Sequence, residues 1–211
     1  MIKLTTTPPE TLVPIKDLQF FEAEHRYLFK GQWVNASVTQ ICSFDKSPLA
    51  IAQIMACKHE WEPRGNTVHA CLEAFLKGQE LPPHDDYTDW VEPLLAHPLW
   101  QQYRCVASEL RMVSPDGAFA GSCDAVLGDD DEAILVDLKT QSTASKRPYS
   151  TDRQLGAYAW LLEKNYGLQV ARCVTVWSKP GVVSLSTTET DTAVQAWLDA
   201  YDAWQLIHAP F

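Results

Sequence analysis

No two cysteines in this chain form a Cys-x-x-Cys pair. Cys42, Cys57, Cys71, Cys105, Cys123 and Cys173 are scattered, which argues against a zinc ribbon or a clustered iron–sulfur signature, so no iron–sulfur cluster is expected. Reduced, mostly buried thiols are the expectation instead. The sequence also lacks an apolar run near the ~20 residues that span a bilayer. Met1-Ile-Lys-Leu4 runs directly into Thr5-Thr-Thr-Pro-Pro9 without a positive-then-apolar leader, and a soluble, cytoplasmic product follows as the expectation. No internal repeat is evident. Asp129-Asp-Asp131 is not followed by EF-hand spacing and reads as a solvated turn. Finally, basic charge is scarce: the 211 residues carry a net charge of −10, which as a bulk value gives no sign of a polyanionic partner.

That deficit is not evenly spread. Between positions 139 and 180 lie Lys139, Lys146, Arg147, Arg153, Lys164, Arg172 and Lys179 against only Asp152 and Glu163. A basic track on an acidic body is one reading of this asymmetry, and ordinary solvated helix and loop charges are the other.

The chain is long enough for one substantial core, and nothing in its composition marks a second domain. One domain over 1–211 is expected, with an amino-terminal hairpin and helices over 1–62, a core over 63–180 and a closing strand and helix over 181–211. Alternation around Lys30-Gly31 predicts a hairpin from His25 to Val34. Two helices broken at Lys46-Ser47-Pro48 are predicted between Ser37 and about Glu60. A third, from Thr67 to Gly78, carries apolar residues at 68, 72, 75 and 76, with His69 beside the stripe. Strands are predicted over Tyr103–Val113, Ala118–Leu127 and Ala133–Thr140, joined as an antiparallel meander by turns at 114–117 and 128–131. A helix over Thr151–Tyr166, a strand over Val170–Trp177 and an amphipathic helix over about Thr190–Ile207 complete the order. The crossover helix makes the sheet mixed and the class α/β.

The chemistry concentrates on the meander. Gly121-Ser-Cys-Asp124 and Ala133-Ile-Leu-Val-Asp137-Leu-Lys139 put two carboxylates and an ammonium on adjacent strands, with Asp137 and Lys139 on one face by the two-residue period. Hard oxygen ligands suit Mg²⁺ or Mn²⁺, and a nearby lysine can orient or deprotonate an attacking water. By itself an Asp-x-Lys triplet is a common strand-edge ion pair. Arg64-Gly65-x-x-x-His69 upstream, Glu109 on the preceding strand and Gln154-Leu-x-x-Tyr158 downstream give it context.

In order and spacing these motifs resemble the PD-(D/E)XK nuclease superfamily. Within it they are similar to the RecB-like exonuclease branch that includes the mitochondrial genome maintenance exonuclease and small phage and bacterial relatives. The resemblance covers most of the chain, from Ser37-Val-Thr39 to Tyr158. It implies a restriction-endonuclease-like core, a central mixed sheet flanked by helices with the amino-terminal hairpin and helices appended. It implies a bacterial or phage deoxyribonuclease of DNA repair or recombination, dependent on Mg²⁺ or Mn²⁺. The activity implied is exonucleolytic, on DNA that is single-stranded or has free ends.

By the same resemblance, Asp124, Asp137 and Lys139 would be catalytic. His69, Asp124, Asp137 and the Leu138 carbonyl would hold the metal, with Glu109 as a further ligand or an outer-shell hydrogen-bond partner. Gln154, Tyr158, Arg64 and Arg153 would contact substrate or steady the site. The proline of the superfamily name is Cys123 here. Two other readings of the same residues are a non-catalytic nucleic-acid-binding or assembly module on this fold and an endonuclease with identical core chemistry. Gln154 reads equally as a capping-box partner of Thr151, and Tyr158 as a core residue or a base-stacking platform. Glu73 is expected to make an i, i+4 contact with His69. Trp160, Trp177, Trp197 and Trp204 read as packing, and Trp33 is the freer candidate for stacking.

Overall fold

A computed structural model describes residues 4–22 and 24–208, so the extreme bounds 1 and 211 lie outside the described residues. Its amino-terminal part is a three-stranded antiparallel sheet of β1 (Leu18–Phe21), β2 (Arg26–Phe29) and β3 (Gln32–Trp33). The two-residue loop Lys30-Gly31 has φ of 50° and 77°, the doubly positive geometry that matches the twist of a tight hairpin. The hairpin expected from His25 to Val34 holds β2 and β3; β1 was not expected, since no Gly, Pro or Asn turn signal like Lys30-Gly31 lies between Leu18-Gln-Phe-Phe21 and Arg26.

The main sheet has six strands: β4 (Ala36–Ser37), β5 (Arg104–Val113), β6 (Phe119–Gly128), β7 (Ala133–Thr140), β8 (Arg172–Lys179) and β9 (Val182–Glu189). The meander β5–β6–β7 is antiparallel, β7 and β8 run parallel, and β9 returns antiparallel along the edge. The protein is thus α/β with a mixed sheet flanked by helices.

Side chains alternate between two cores. Leu135 and Cys173 face α6 (Asp152–Tyr166) and α7 (Thr190–His208), while Ile134, Val136, Leu138, Val174 and Val176 face α3 (Lys58–Leu76) and α4 (Thr88–Leu95). Gly156 lets α6 meet α7 closely, since a Cβ there would overlap the carbonyl of Ala193. No helix among the described residues is long and apolar enough to cross a membrane.

Two local expectations are corrected, at the starts of α3 and α6, while the two helices expected on either side of Lys46-Ser47-Pro48 are present. The helix bearing His69 begins at Lys58 and runs through Pro63 and Gly65, because tertiary burial of Arg64, Val68, Cys71 and Leu72 outweighs the breaker signals. The region before it holds α1 (Val38–Cys42), with a Ser37–Gln40 capping box, and α2 (Pro48–Ala56), which buries no residue. At the start of α6 no capping box forms: Thr151 turns its hydroxyl to Thr175 at 2.5 Å and caps nothing.

Candidate active site

The site lies where two strands part. β6 pairs with β4 at Phe119 and Ala120 and with β7 from Ala125 to Gly128. Beyond Val136, β7 follows β8, leaving a fork between Gly121–Asp124 and Asp137–Thr140. The Leu138 amide spans it, donating to Asp124 Oδ2 at 2.5 Å. Behind the fork Gly121 has no room for a side chain, because a Cβ would come within 2.8 Å of both Tyr158 Cε1 and Val38 Cγ2.

Helix α3 brings His69 to the other oxygen of Asp124, Nδ1 to Oδ1 being 3.2 Å. Glu109 stands across from Asp124 on β5, between the paired positions Ser108↔Ala125 and Leu110↔Cys123. Its φ is 51°, a strained value for a glutamate in a strand and of the kind that collects at functional sites. Ser122 donates to Glu109 Oε2 at 3.2 Å. One ligand atom from each of His69, Glu109 and Asp124 falls within 4.8 Å of the other two.

Asp137 lies outside that trio, held by Lys139. The ammonium donates to Oδ1 at 3.0 Å and stands 2.9 Å from Oδ2. Oδ2 is buried without a well-directed hydrogen bond, leaving a carboxylate lone pair unsatisfied.

The electrostatics follow from crowding. Burial and the neighbouring Asp124 carboxylate push Glu109 up to about 7, with His69 opposing. Burial pushes Asp137 up to about 6 despite Lys139. Asp124 is also buried, but the His69 imidazole beside it prevails and lowers its pKa. Burial works against the charged forms of His69 and Lys139, yet the facing carboxylates raise both. The Asp137–Lys139 pair shifts unequally because the aspartate faces a second acid, whereas the ammonium gains two counter-charges. Lys139 is therefore an ammonium at neutral pH.

This donor set suits a divalent cation. Two carboxylates and one imidazole are hard-to-intermediate ligands appropriate to Mg²⁺ or Mn²⁺, and Asp137 adds a third carboxylate, itself buried and already paired with Lys139.

The remaining candidates separate. The contact that Leu138 makes at the site is through its amide, as given above, and Gln154 Nε2 donates to the Tyr158 hydroxyl at 3.2 Å. Tyr158 is 3% exposed, so its ring packs in the core and presents no face to a base. Arg64 is buried, with Nε 3.3 Å from Thr140 Oγ1 and its guanidinium over Trp90. Arg153 stands apart in an exposed ion pair with Asp45 at 2.8 Å. Glu73 pairs with Lys77, one turn onward, not with His69. Trp177 and Trp197 are fully buried, while Trp33 is exposed beneath the Arg26 guanidinium.

Nor do the basic residues from 139 to 180 form one track. Arg153, Lys164 and Arg172 are paired with Asp45, Glu163 and Glu132, and Lys179 is buried against the Lys146 carbonyl. Sequence reasoning missed Ser122 and Thr140, whose only signal is a hydroxyl near the motif acids.

The sequence model of the PD-(D/E)XK nuclease superfamily matches residues 94–204, from the end of α4 into α7. The chain belongs to the PD-(D/E)XK nuclease superfamily. The match contains Glu109, Asp124, Asp137 and Lys139, and leaves His69 to the helix before it. Among solved structures the chain is similar to the protein SSO0001, at 18% identity and a TM-score of 0.43 over 80% of this chain and 76% of that one. It is also similar to an alkaline exonuclease from Laribacter hongkongensis, at 13% identity and 0.39 over 80% and 88%. The same enzyme in complex with dAMP aligns at 10% identity and 0.38 over 82% and 86%. No curated protein matches the chain.

Proposed function

We propose that this superfamily member is a Mg²⁺- or Mn²⁺-dependent deoxyribonuclease acting as one domain, an exonuclease that prefers single-stranded ends. The observation that carries the reading is the Asp137–Lys139 ion pair beside the His69–Glu109–Asp124 trio at the strand fork. His69, Glu109 and Asp124 would hold the cation, with Asp137 completing its surroundings. When bound, the cation supplies charge neutralisation and Lewis acidity to the phosphodiester.

The chain's own groups do the rest. Lys139, kept charged by its two acids, holds an attacking water and stabilises negative charge on the phosphoryl oxygens; as an ammonium it does not take the water's proton. Asp137, the carboxylate that the Lys139 ammonium holds, is the group placed to accept that proton. The water oxygen bonds to phosphorus, the ester P–O bond breaks, and the leaving oxygen is protonated from solvent. The Leu138 amide fixes the Asp124 carboxylate while this happens.

The test is a digestion time course on end-labelled single- and double-stranded DNA with Mg²⁺ or Mn²⁺, alongside Lys139→Ala. Turnover should fall ~10²- to 10³-fold in the variant while DNA binding persists. Equal cutting by both proteins removes Lys139 from the mechanism. Cutting of circular single strands would replace the exonuclease reading by an endonuclease one.

A further inference from the structure

The loop that leaves the catalytic strand is held from beneath by buried donors. After β7 the chain runs exposed from Ser142 to Ser150 before entering α6. Gln141, 2% exposed, donates through Nε2 to the Arg147 carbonyl at 2.9 Å, and Lys179, 6% exposed, donates through Nζ to the Lys146 carbonyl at 2.9 Å. Burying a lysine ammonium is costly unless it is paired or hydrogen-bonded, and Lys179 finds its bond on the loop backbone. What the two bonds fix is backbone, so the side chains on that backbone are presented outward.

Those side chains are Lys146, Arg147 and Tyr149, all exposed. The Tyr149 ring meets Trp177 edge-on, centroids 4.9 Å apart at 79°, and Trp177 is the register partner of Lys139. Tyr149 is nevertheless 57% exposed. An aromatic ring propped on a buried tryptophan, next to the catalytic ammonium and following two cations two and three residues earlier, has the makings of a strand grip. Phosphates fit the cations, and a base fits the ring face.

We infer that the 141–150 loop is a single-strand grip, in which Tyr149 stacks on a nucleobase beside the scissile phosphate and Lys146 and Arg147 contact flanking phosphates. This rests on the nuclease reading. The grip makes no demand on base identity, since every base offers a π face, so sequence tolerance follows from it.

The experiment measures KM and kcat of the metal-loaded enzyme on a labelled single-stranded oligonucleotide for Tyr149→Ala, Tyr149→Phe and the double variant Lys146→Gln/Arg147→Gln. Tyr149→Ala should raise KM about 10-fold, and Tyr149→Phe should restore it. In the double variant kcat/KM should fall less steeply with salt, the log–log slope flattening by about 1.4 for two lost single-strand phosphate contacts. An active wild type whose KM and salt slope are unmoved by these changes overturns the grip and leaves the nuclease reading standing. Failure of the wild type to hydrolyse or bind DNA overturns both.

Discussion

Replacing Glu109 by glutamine should stabilise the metal-free protein at alkaline pH and remove much of its response to metal. In the folded chain the Glu109 carboxyl titrates near 7 where its usual value is 4.5. The folded state therefore keeps its proton longer than the unfolded chain does. Its contribution to stability is full below about pH 4.5, is lost as pH climbs toward 7, and is constant above. At about 1.4 kcal/mol per pH unit the loss approaches ~3 kcal/mol, and relaxation of the nearby Asp124 reduces it to about 2 kcal/mol.

Glutamine cannot ionise, keeps an oxygen to accept from Ser122, and shares the backbone demands of glutamate at φ 51°. In chelator at pH 8 the variant should melt ~4–8 °C above wild type, and at pH 4.5 the two should coincide within a degree or two. Saturating Mn²⁺, worth about 2.7 kcal/mol at a hundredfold excess over Kd, should raise wild type strongly and the variant little. Melting followed by circular dichroism at both pH values, with and without Mn²⁺, is the assay. A variant no more stable than wild type at pH 8, or equally more stable at both pH values, would refute the argument that ionisation in a crowded acid site is the cause.

Other changes probe the scaffold. Gly121→Ala forces a Cβ against Tyr158 and Val38; overpacking of this kind costs about 1–3 kcal/mol, and a chemical denaturation curve should show it together with reduced nuclease activity. At Gly156 the same substitution meets backbone of α7, which yields less readily, so a loss of ~3 kcal/mol or more is expected from the same measurement. Thr151→Val leaves the buried Thr175 hydroxyl without its partner, costing ~1–3 kcal/mol, with activity lowered less than stability because neither hydroxyl touches the acids.

The sheet was legible because its strands advertise themselves. The runs at 104–113, 119–128 and 133–140 are rich in β-formers and bounded by Pro-Asp-Gly and Gly-Asp-Asp-Asp turns, and the acids on them are read by period alone. Their gathering with His69 is a tertiary fact: position 69 beside an apolar stripe fits a core histidine as well as a ligand, and only the packing of α3 on β5 and β7 decides it. Glu109 was named from the motif order as a further ligand or outer-shell partner, but its strained φ and its place opposite Asp124 depend on strand register. Local chemistry misled at Thr151, where a Thr-x-x-Gln spacing mimics a capping box while the hydroxyl finds a better partner across the core. The charge asymmetry from 139 to 180 dissolved for a similar reason, because ion pairs such as Arg172–Glu132 join residues that sequence position separates.

On the function proposed here, His69, Glu109 and Asp124 share one divalent ion next to the Asp137–Lys139 pair. Titration of Mn²⁺ into wild type and Asp124→Asn, read by electron paramagnetic resonance of the free ion, tests it most directly. Wild type should show a tight site that weakens at least ~10-fold in the variant, with nuclease activity lost in parallel. Unchanged Mn²⁺ affinity in Asp124→Asn would contradict it.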